Sequence, residues 1–231
     1  MSPPPSRPAP HHAAINAVIF DMDGLLLDTE TLSFDSFVTT AARHEVTVGI
    51  ADYRRMIGLN AATGIDILRG MLPPDHDAVA FKNEWLAVYR ELLTQGVRVK
   101  AGASEILQAL EHAGIRRAVA TSSAGGKARR VLDEVGLLPL IEHVTGGDEV
   151  RAGKPAPDVY LDAAHRLGVQ PRTCLALEDS DNGVSAALRA GMTVIQIPDL
   201  APAGRTPAPP QFHIASSLHD AAALIGLKLG Q

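Results

Sequence analysis

The chain has 231 residues, 46% of them hydrophobic and 20% charged, with a formal net charge of -5. That length buries a sizeable core in one or two domains, and the negative balance argues against a nucleic-acid footprint. No apolar run approaches the roughly 20 residues of a membrane span, and the single cysteine, Cys174, excludes an intrachain disulfide and fits a reducing cytoplasm.

Residues 1–14 are rich in proline and lack the apolar core of a signal peptide, so they read as a disordered tail. The adjacent pair His11-His12 sits in that tail and reads as inert. Ala17 to Phe20 form a short apolar run suited to a strand buried on both faces. Asp21 closes it. A lone buried carboxylate is costly, so Asp21 belongs where the strand leaves the core. Asp23 lies two positions on, and the strand's period of two lets both carboxylates point the same way. Gly24 then allows a sharp turn. At about 4 Å and an intermediate dielectric, two such carboxylates repel by roughly 4 kcal/mol. A bound Mg²⁺, which takes oxygen ligands and commonly works with phosphates, reverses that sign.

From Thr31 to about Gly96 the apolar residues come at helical spacing, with Phe81, Trp85, Val88, Tyr89 and Leu92 on one side of a helix from about Asp77 to Thr94. This predicts a small helical unit over residues 31–96, inserted into a second unit made of residues 15–30 and 97–231. From Val97 onward helix and strand alternate. Ser104 is placed to cap a helix ended by Gly114. Strands are predicted at Arg117–Thr121, Ile141–Thr145, Thr173–Leu177, Thr193–Ile197 and Phe212–Ala215. Helices are predicted from about Gly126, from Pro157, from Asn182 and from near Ser217. Such alternation means an α/β fold, a Rossmann-like parallel sheet with helices on both faces. Pro198 to Pro210 reads as a surface loop, and Cys174, within an apolar run, as a core residue.

The polar clusters follow the strands: Asp21 and Asp23; Thr121-Ser122-Ser123; Gly153-Lys154-Pro155; Glu178-Asp179-Ser180. In an open parallel sheet, ligands bind outside the carboxyl ends of the strands, where all four clusters fall. Glu178 and Asp179 add carboxylate for a hard cation. The Thr121 hydroxyl and backbone N–H groups near Ser122 can hold phosphate oxygens. Lys154 offers a compact positive charge. Taken alone, Thr121 is an ordinary helix cap and Lys154 a surface lysine; the convergence carries the reading. Gly125-Gly126-Lys127-Ala128 lacks the first glycine and final hydroxyl residue of a P-loop.

With these motifs in order, Asp21-Met22-Asp23-Gly24, Ala120-Thr121-Ser122-Ser123, Gly153-Lys154-Pro155 and Glu178-Asp179-Ser180, the chain resembles the haloacid dehalogenase-like (HAD) superfamily, in the beta-phosphoglucomutase-like branch. The resemblance implies a HAD-like core with an α-helical cap and a Mg²⁺-dependent phosphatase acting on a small phosphorylated metabolite. By it, Asp21 is the nucleophile and forms an aspartyl-phosphate, and Asp23 is the acid/base. Thr121, Ser122 and Lys154 hold the phosphoryl group. Asp21, the main-chain carbonyl of Asp23, and Asp179 hold the metal, with Glu178 acting through a water. Asn60, in a cap segment after Gly58, is the candidate substrate contact. In mutases of the branch a cap arginine and a Lys-Asn pair grip a distal phosphate. Here those places hold Ala61, Ala124 and Gly125, and Arg54, Arg55 and Arg69 are the candidates to compensate. A hexose-phosphate mutase is the alternative and a non-catalytic binding protein a distant third. No membrane or nucleic-acid partner is expected, and the chain is expected to be a monomer.

Overall fold

The structure, a computed structural model, describes residues 15–57, 61–200 and 209–229. The N-terminal tail with His11-His12, the substrate-contact candidate Asn60, and most of the Pro-rich stretch therefore lie outside the described residues.

The first strand, β1 (Ala17–Phe20), is buried at every position. Four helices follow: α1 (Thr29–Arg43), α2 (Ile50–Arg54), α3 (Ala61–Met71) and α4 (Ala78–Thr94). Asp77 starts α4, its Oδ1 accepting from Val79 N and Ala80 N at 2.8 and 3.3 Å, which satisfies two donors that a helix start leaves open. Phe37, Tyr53, Leu68 and Phe81 form the buried centre of this helical layer. Phe37 meets Phe81 edge-on, with ring centroids 6.0 Å apart, a preferred aromatic geometry.

The chain then alternates: α5 (Ala103–His112), β2 (Arg116–Ala120), α6 (Gly125–Glu134), β3 (His143–Thr145), α7 (Asp158–Arg166), β4 (Cys174–Glu178), α8 (Asp181–Arg189), β5 (Thr193–Gln196), β6 (Phe212–Ile214) and α9 (Leu218–Leu224). The six strands form one parallel sheet in the order β3-β2-β1-β4-β5-β6, a Rossmann-type α/β fold. β1 lies at the centre, in register with β2 and β4. One apolar cluster covers each face of the sheet: Leu107, Leu132 and Leu218 on one side, Tyr160, Ala163 and Val184 on the other. Cys174 is buried in the second.

Several boundaries differ from expectation by a residue or two. Helix α5 begins one residue before Ser104, with Gly102 at its N-cap, so Ser104 lies inside the helix and caps nothing. The strand expected to stop at Leu177 runs on to Glu178, and the one expected to include Thr121 ends at Ala120. No helix among the described residues is long and apolar enough to cross a membrane.

The helical layer joins the sheet through two adjacent crossings. Leu27 bridges Val99 in antiparallel fashion, Asp28 N donates to Arg98 O and Lys100 N to Leu26 O, both at 2.9 Å. A third link comes from beyond β5: Arg54 Nε donates to Leu200 O at 2.6 Å, and Leu200 packs against the aromatic centre of the layer.

Candidate active site

Because every strand is parallel, the carboxyl ends of β1, β2 and β4 open on one edge, and their polar residues meet there. Asp21 follows β1 directly. Its backbone N still donates to Leu177 O at 2.9 Å, so the ladder holds the carboxylate at the rim. Lys154 reaches it from the loop between β3 and α7. Its Nζ donates to Asp21 Oδ1 at 2.5 Å and to Glu178 Oε1 at 2.6 Å. Tyr160 Oη donates to the same Glu178 oxygen at 2.7 Å. Glu178 Oε2 accepts from Ser180 N and Ser180 Oγ at 3.1 and 3.0 Å. Four donors thus saturate a fully buried carboxylate, which is what makes its burial tolerable. Gly183, in the first turn of α8, makes room for it: a Cβ there would fall 1.7 Å from Glu178 Oε1.

Asp23 has other partners. Its Oδ2 accepts from Ser123 Oγ at 2.8 Å and more weakly from Thr121 Oγ1 at 3.4 Å. Thr121 is buried and its Oγ1 accepts from Ser123 N at 3.0 Å. Gly24 takes φ +81°, and a Cβ on it would sit 2.4 Å from Asp179 Oδ2. Both the backbone angle and the close approach therefore require glycine. Its N–H also donates to Thr29 Oγ1 at 3.1 Å, joining this turn to the start of α1. Asp179 is held from behind, where Gln196 Nε2 donates to Asp179 O and to Asp181 Oδ1, both at 3.1 Å.

Oxygens of Asp21, Glu178 and Asp179 lie within 4.8 Å of one another. Burial pushes the Asp21 carboxyl up to about 8; Lys154 pulls it back, while Glu178 and Asp23 add to the push. Burial likewise raises Asp179 well above the usual carboxylate range, with Asp21 and Glu178 adding to it. Burial alone would lower Lys154, but Asp21 and Glu178 outweigh it and hold the ammonium charged. Fully ionised, three carboxylates against one lysine would leave two uncompensated negative charges in a buried site. A divalent cation fits both that excess and the all-oxygen donor set.

Two cavities meet at this edge. One, of about 560 Å³, is lined by Asp21, Thr121, Ser122, Lys154 and Asp179 among others. The second, of about 350 Å³, runs under the helical layer, with Met56, Leu68, Trp85 and Tyr89 as its less polar wall and Ser33, Ser123, Lys82 and Lys127 as polar lining. The structure therefore brings Asp21, Asp23, Thr121, Ser122, Lys154, Glu178 and Asp179 to one place. It does not bring the arginines. Arg54 is spent on Leu200 O, Arg69 pairs with Asp66 at 2.6 Å on the surface, and neither these nor Arg55 lines either cavity. The cations at the second cavity are Lys82 and Lys127, to which sequence reasoning gave no role. Lys127 stood only in a failed P-loop match, and Lys82 on a helix is indistinguishable by type from a solvated lysine. Ser123 belongs to the Thr121-Ser122-Ser123 motif, but only the fold shows its hydroxyl bonded to Asp23. Tyr160 carried no signal at all, since its value depends on Glu178 lying across the sheet.

The family model for haloacid dehalogenase-like hydrolases matches residues 15–191. The chain belongs to that family. It is a hydrolase, and among its relatives is a "Phosphorylated carbohydrates phosphatase" from Thermotoga maritima, 32% identical over 178 residues, which cover 77% of this chain and 82% of that protein. Among solved structures, a HAD family hydrolase from Deinococcus radiodurans with bound phosphate and sodium superposes with a TM-score of 0.76 at 27% identity, covering 94% of this chain and 100% of the other. A CbbY mutant from Rhodobacter sphaeroides in complex with xylulose-(1,5)bisphosphate gives 0.69 at 26% identity, covering 93% and 100%.

Proposed function

We propose that this hydrolase is a phosphatase for a small phosphorylated carbohydrate or similar metabolite, working through an aspartyl-phosphate on Asp21. The observation that carries the reading is the division of labour between the two aspartates. Asp21 is seated on Lys154 at 2.5 Å, in the cavity that also holds Thr121 and Ser122, while Asp23, held by Ser123, lines both that cavity and the second. Asp21 attacks phosphorus, and the bond to the leaving oxygen breaks as Asp23 gives that oxygen a proton. Asp23 then takes a proton from the water that cleaves the acyl phosphate, freeing Asp21 and inorganic phosphate. Lys154, the Thr121 hydroxyl and the Ser122 backbone hold the phosphoryl oxygens. The helical layer acts as the cap over the leaving group.

Asp21 and Asp179, with the main-chain carbonyl of Asp23, are the residues to hold a divalent cation, for which we favour Mg²⁺. Bound there, it would neutralise charge on the transferring group. Glu178, its oxygens already taken by Lys154, Tyr160 and Ser180, serves the cation indirectly.

A second reading keeps one specific support. A mutase must hold a phosphate at each end of a bisphosphate, and a buried dianion without a counter-charge is heavily penalised. Lys82 and Lys127 line the second cavity, so that charge is present although Ala124 and Gly125 supply none. The CbbY mutant is in complex with a bisphosphate, a ligand that either a mutase or a phosphatase could hold. The deciding experiment measures phosphate release over sugar phosphates and nucleotides beside a bisphosphate-primed isomerase assay. Stoichiometric phosphate release supports the phosphatase; rapid interconversion of hexose 1- and 6-phosphates with little free phosphate overturns it.

A further inference from the structure

Asp23 and Glu30 line both cavities, and no other described residue does. They stand at the neck between the chamber for the phosphoryl group and the chamber for what leaves. The reaction proposed above gives Asp23 its task and leaves Glu30 without one.

Glu30 is placed there by the chain's own geometry. It lies in the first turn of α1, a few residues beyond the turn at Gly24, and a Cβ on Gly24 would come to 3.4 Å from Glu30 Cγ. Tyr53, from α2, donates its Oη to Glu30 Oε2 at 2.9 Å. That bond holds Oε2, and a carboxylate keeps acceptor capacity on its other oxygen. A fixed acceptor is the kind of group that reads a hydroxyl, because it rejects an analogue lacking that hydroxyl far better than an apolar wall does.

We infer that Glu30 is a specificity-determining residue that accepts a hydrogen bond from a hydroxyl on the carbon next to the one bearing the phosphate ester. The inference rests on the phosphatase reading. With phosphorus over Asp21 and the ester oxygen at Asp23, the ester carbon occupies the neck, and its neighbouring carbon passes Glu30. The substrate class is then a phosphomonoester of a vicinal polyol, from glycerol phosphate up to a sugar phosphate; the second cavity, about 350 Å³, is in the size range of small-ligand sites.

The test compares a matched pair, glycerol 3-phosphate and n-propyl phosphate, which differ in their hydroxyls. The wild-type chain should favour the glycerol ester by about tenfold or more in kcat/KM, and Glu30→Leu should reduce that ratio by about fivefold or more, chiefly through KM. Glu30→Gln, which keeps an acceptor oxygen, should retain part of the preference. Tyr53→Phe removes the anchoring bond but not the carboxylate, so it should lower the ratio less than Glu30→Leu does. An equal ratio in wild type and Glu30→Leu overturns the inference, as does a Tyr53→Phe effect as large as that of Glu30→Leu, which would make Glu30 a brace for α2. Titration of Asp21→Asn protein with the same two esters separates this from the underlying reading. If no phosphomonoester, p-nitrophenyl phosphate included, is hydrolysed by the wild type, the phosphatase reading fails. Tighter binding of the glycerol ester, lost in Asp21→Asn/Glu30→Leu, would still support the assignment of Glu30, and equal binding would overturn it.

Discussion

The sheet and the helical layer are built to different standards. Each strand of the central pair, β1 and β4, is buried at every position, and apolar clusters close both faces of the sheet. The helical layer has one small centre, seven buried residues among those described, dominated by Phe37, Tyr53 and Phe81. The groups proposed to do chemistry all sit on the first region; Lys82, Trp85, Tyr89 and Ser33, which line the second cavity, sit on the second. A displacement of charge at phosphorus needs atoms held to a fraction of an ångström. Choosing among leaving groups tolerates, and uses, a softer wall.

The hardest break in this comparison is Asp21→Asn. Loss of the nucleophile should lower kcat by about a thousandfold or more and abolish a trapped phospho-enzyme, without lowering the thermal midpoint of the metal-free protein. Near-normal turnover would remove Asp21 from the chemistry. Chelation is expected to act almost as strongly. Turnover should vanish in excess chelator and return with Mg²⁺, and full activity in chelator would show that the three clustered carboxylates hold no essential cation.

On the softer side, Phe81→Ala should cost roughly 3–5 kcal/mol within the helical layer. Hydrogen exchange should then accelerate in α1 and α4 first, with β1 and β4 still protected. Equal acceleration in both would mean the two regions unfold as one. Gly183→Ala tests the firmer side more gently. The added carbon collides with Glu178, so about 1–3 kcal/mol of stability should be lost, with kcat falling as Lys154 shifts.

The smallest effect concerns pH. Burial raises the Glu30 carboxyl above its usual 4.5, with the Tyr53 hydrogen bond opposing. A raised folded-state value means the folded chain holds this proton more tightly than the unfolded one. The contribution is full below about pH 4.5 and is lost as pH climbs through the raised value. Unfolding in urea at stepped pH should show that decline in the wild type and a flatter profile in Glu30→Gln.

Much of the sheet edge could be read before the fold was seen, because its signals are local. A buried run ending in Asp21-Met22-Asp23-Gly24 says strand, rim and turn within eight residues. The same holds for Thr121 and for Glu178-Asp179. Ends of elements were less legible: Ser104 is a good cap by type, but the turn through Gly102 had already started the helix. The neck and the second cavity were hidden for another reason. Tyr160 and Gln196 bond to residues that β4 and its following turn supply, Lys82 and Lys127 line a cavity whose walls come from distant parts of the chain, and nothing in their sequence neighbours marks them. Asn60, the substrate contact that the family resemblance suggests, lies outside the described residues, and the selectivity proposed above rests on Glu30, whose place at the neck depends on Tyr53 and so cannot be read from its own neighbours.

The paired crossings at Leu27 and Val99 have a mechanical consequence. Two strands tied side by side by Asp28–Arg98 and Lys100–Leu26 hydrogen bonds resist sliding past one another, since a shift along their length would break both bonds. Bending across the pair breaks neither. A rotation of the helical layer about these crossings would leave both bonds in place but would have to break the Arg54–Leu200 bond, so that one contact, from beyond β5, resists the movement that the crossings do not.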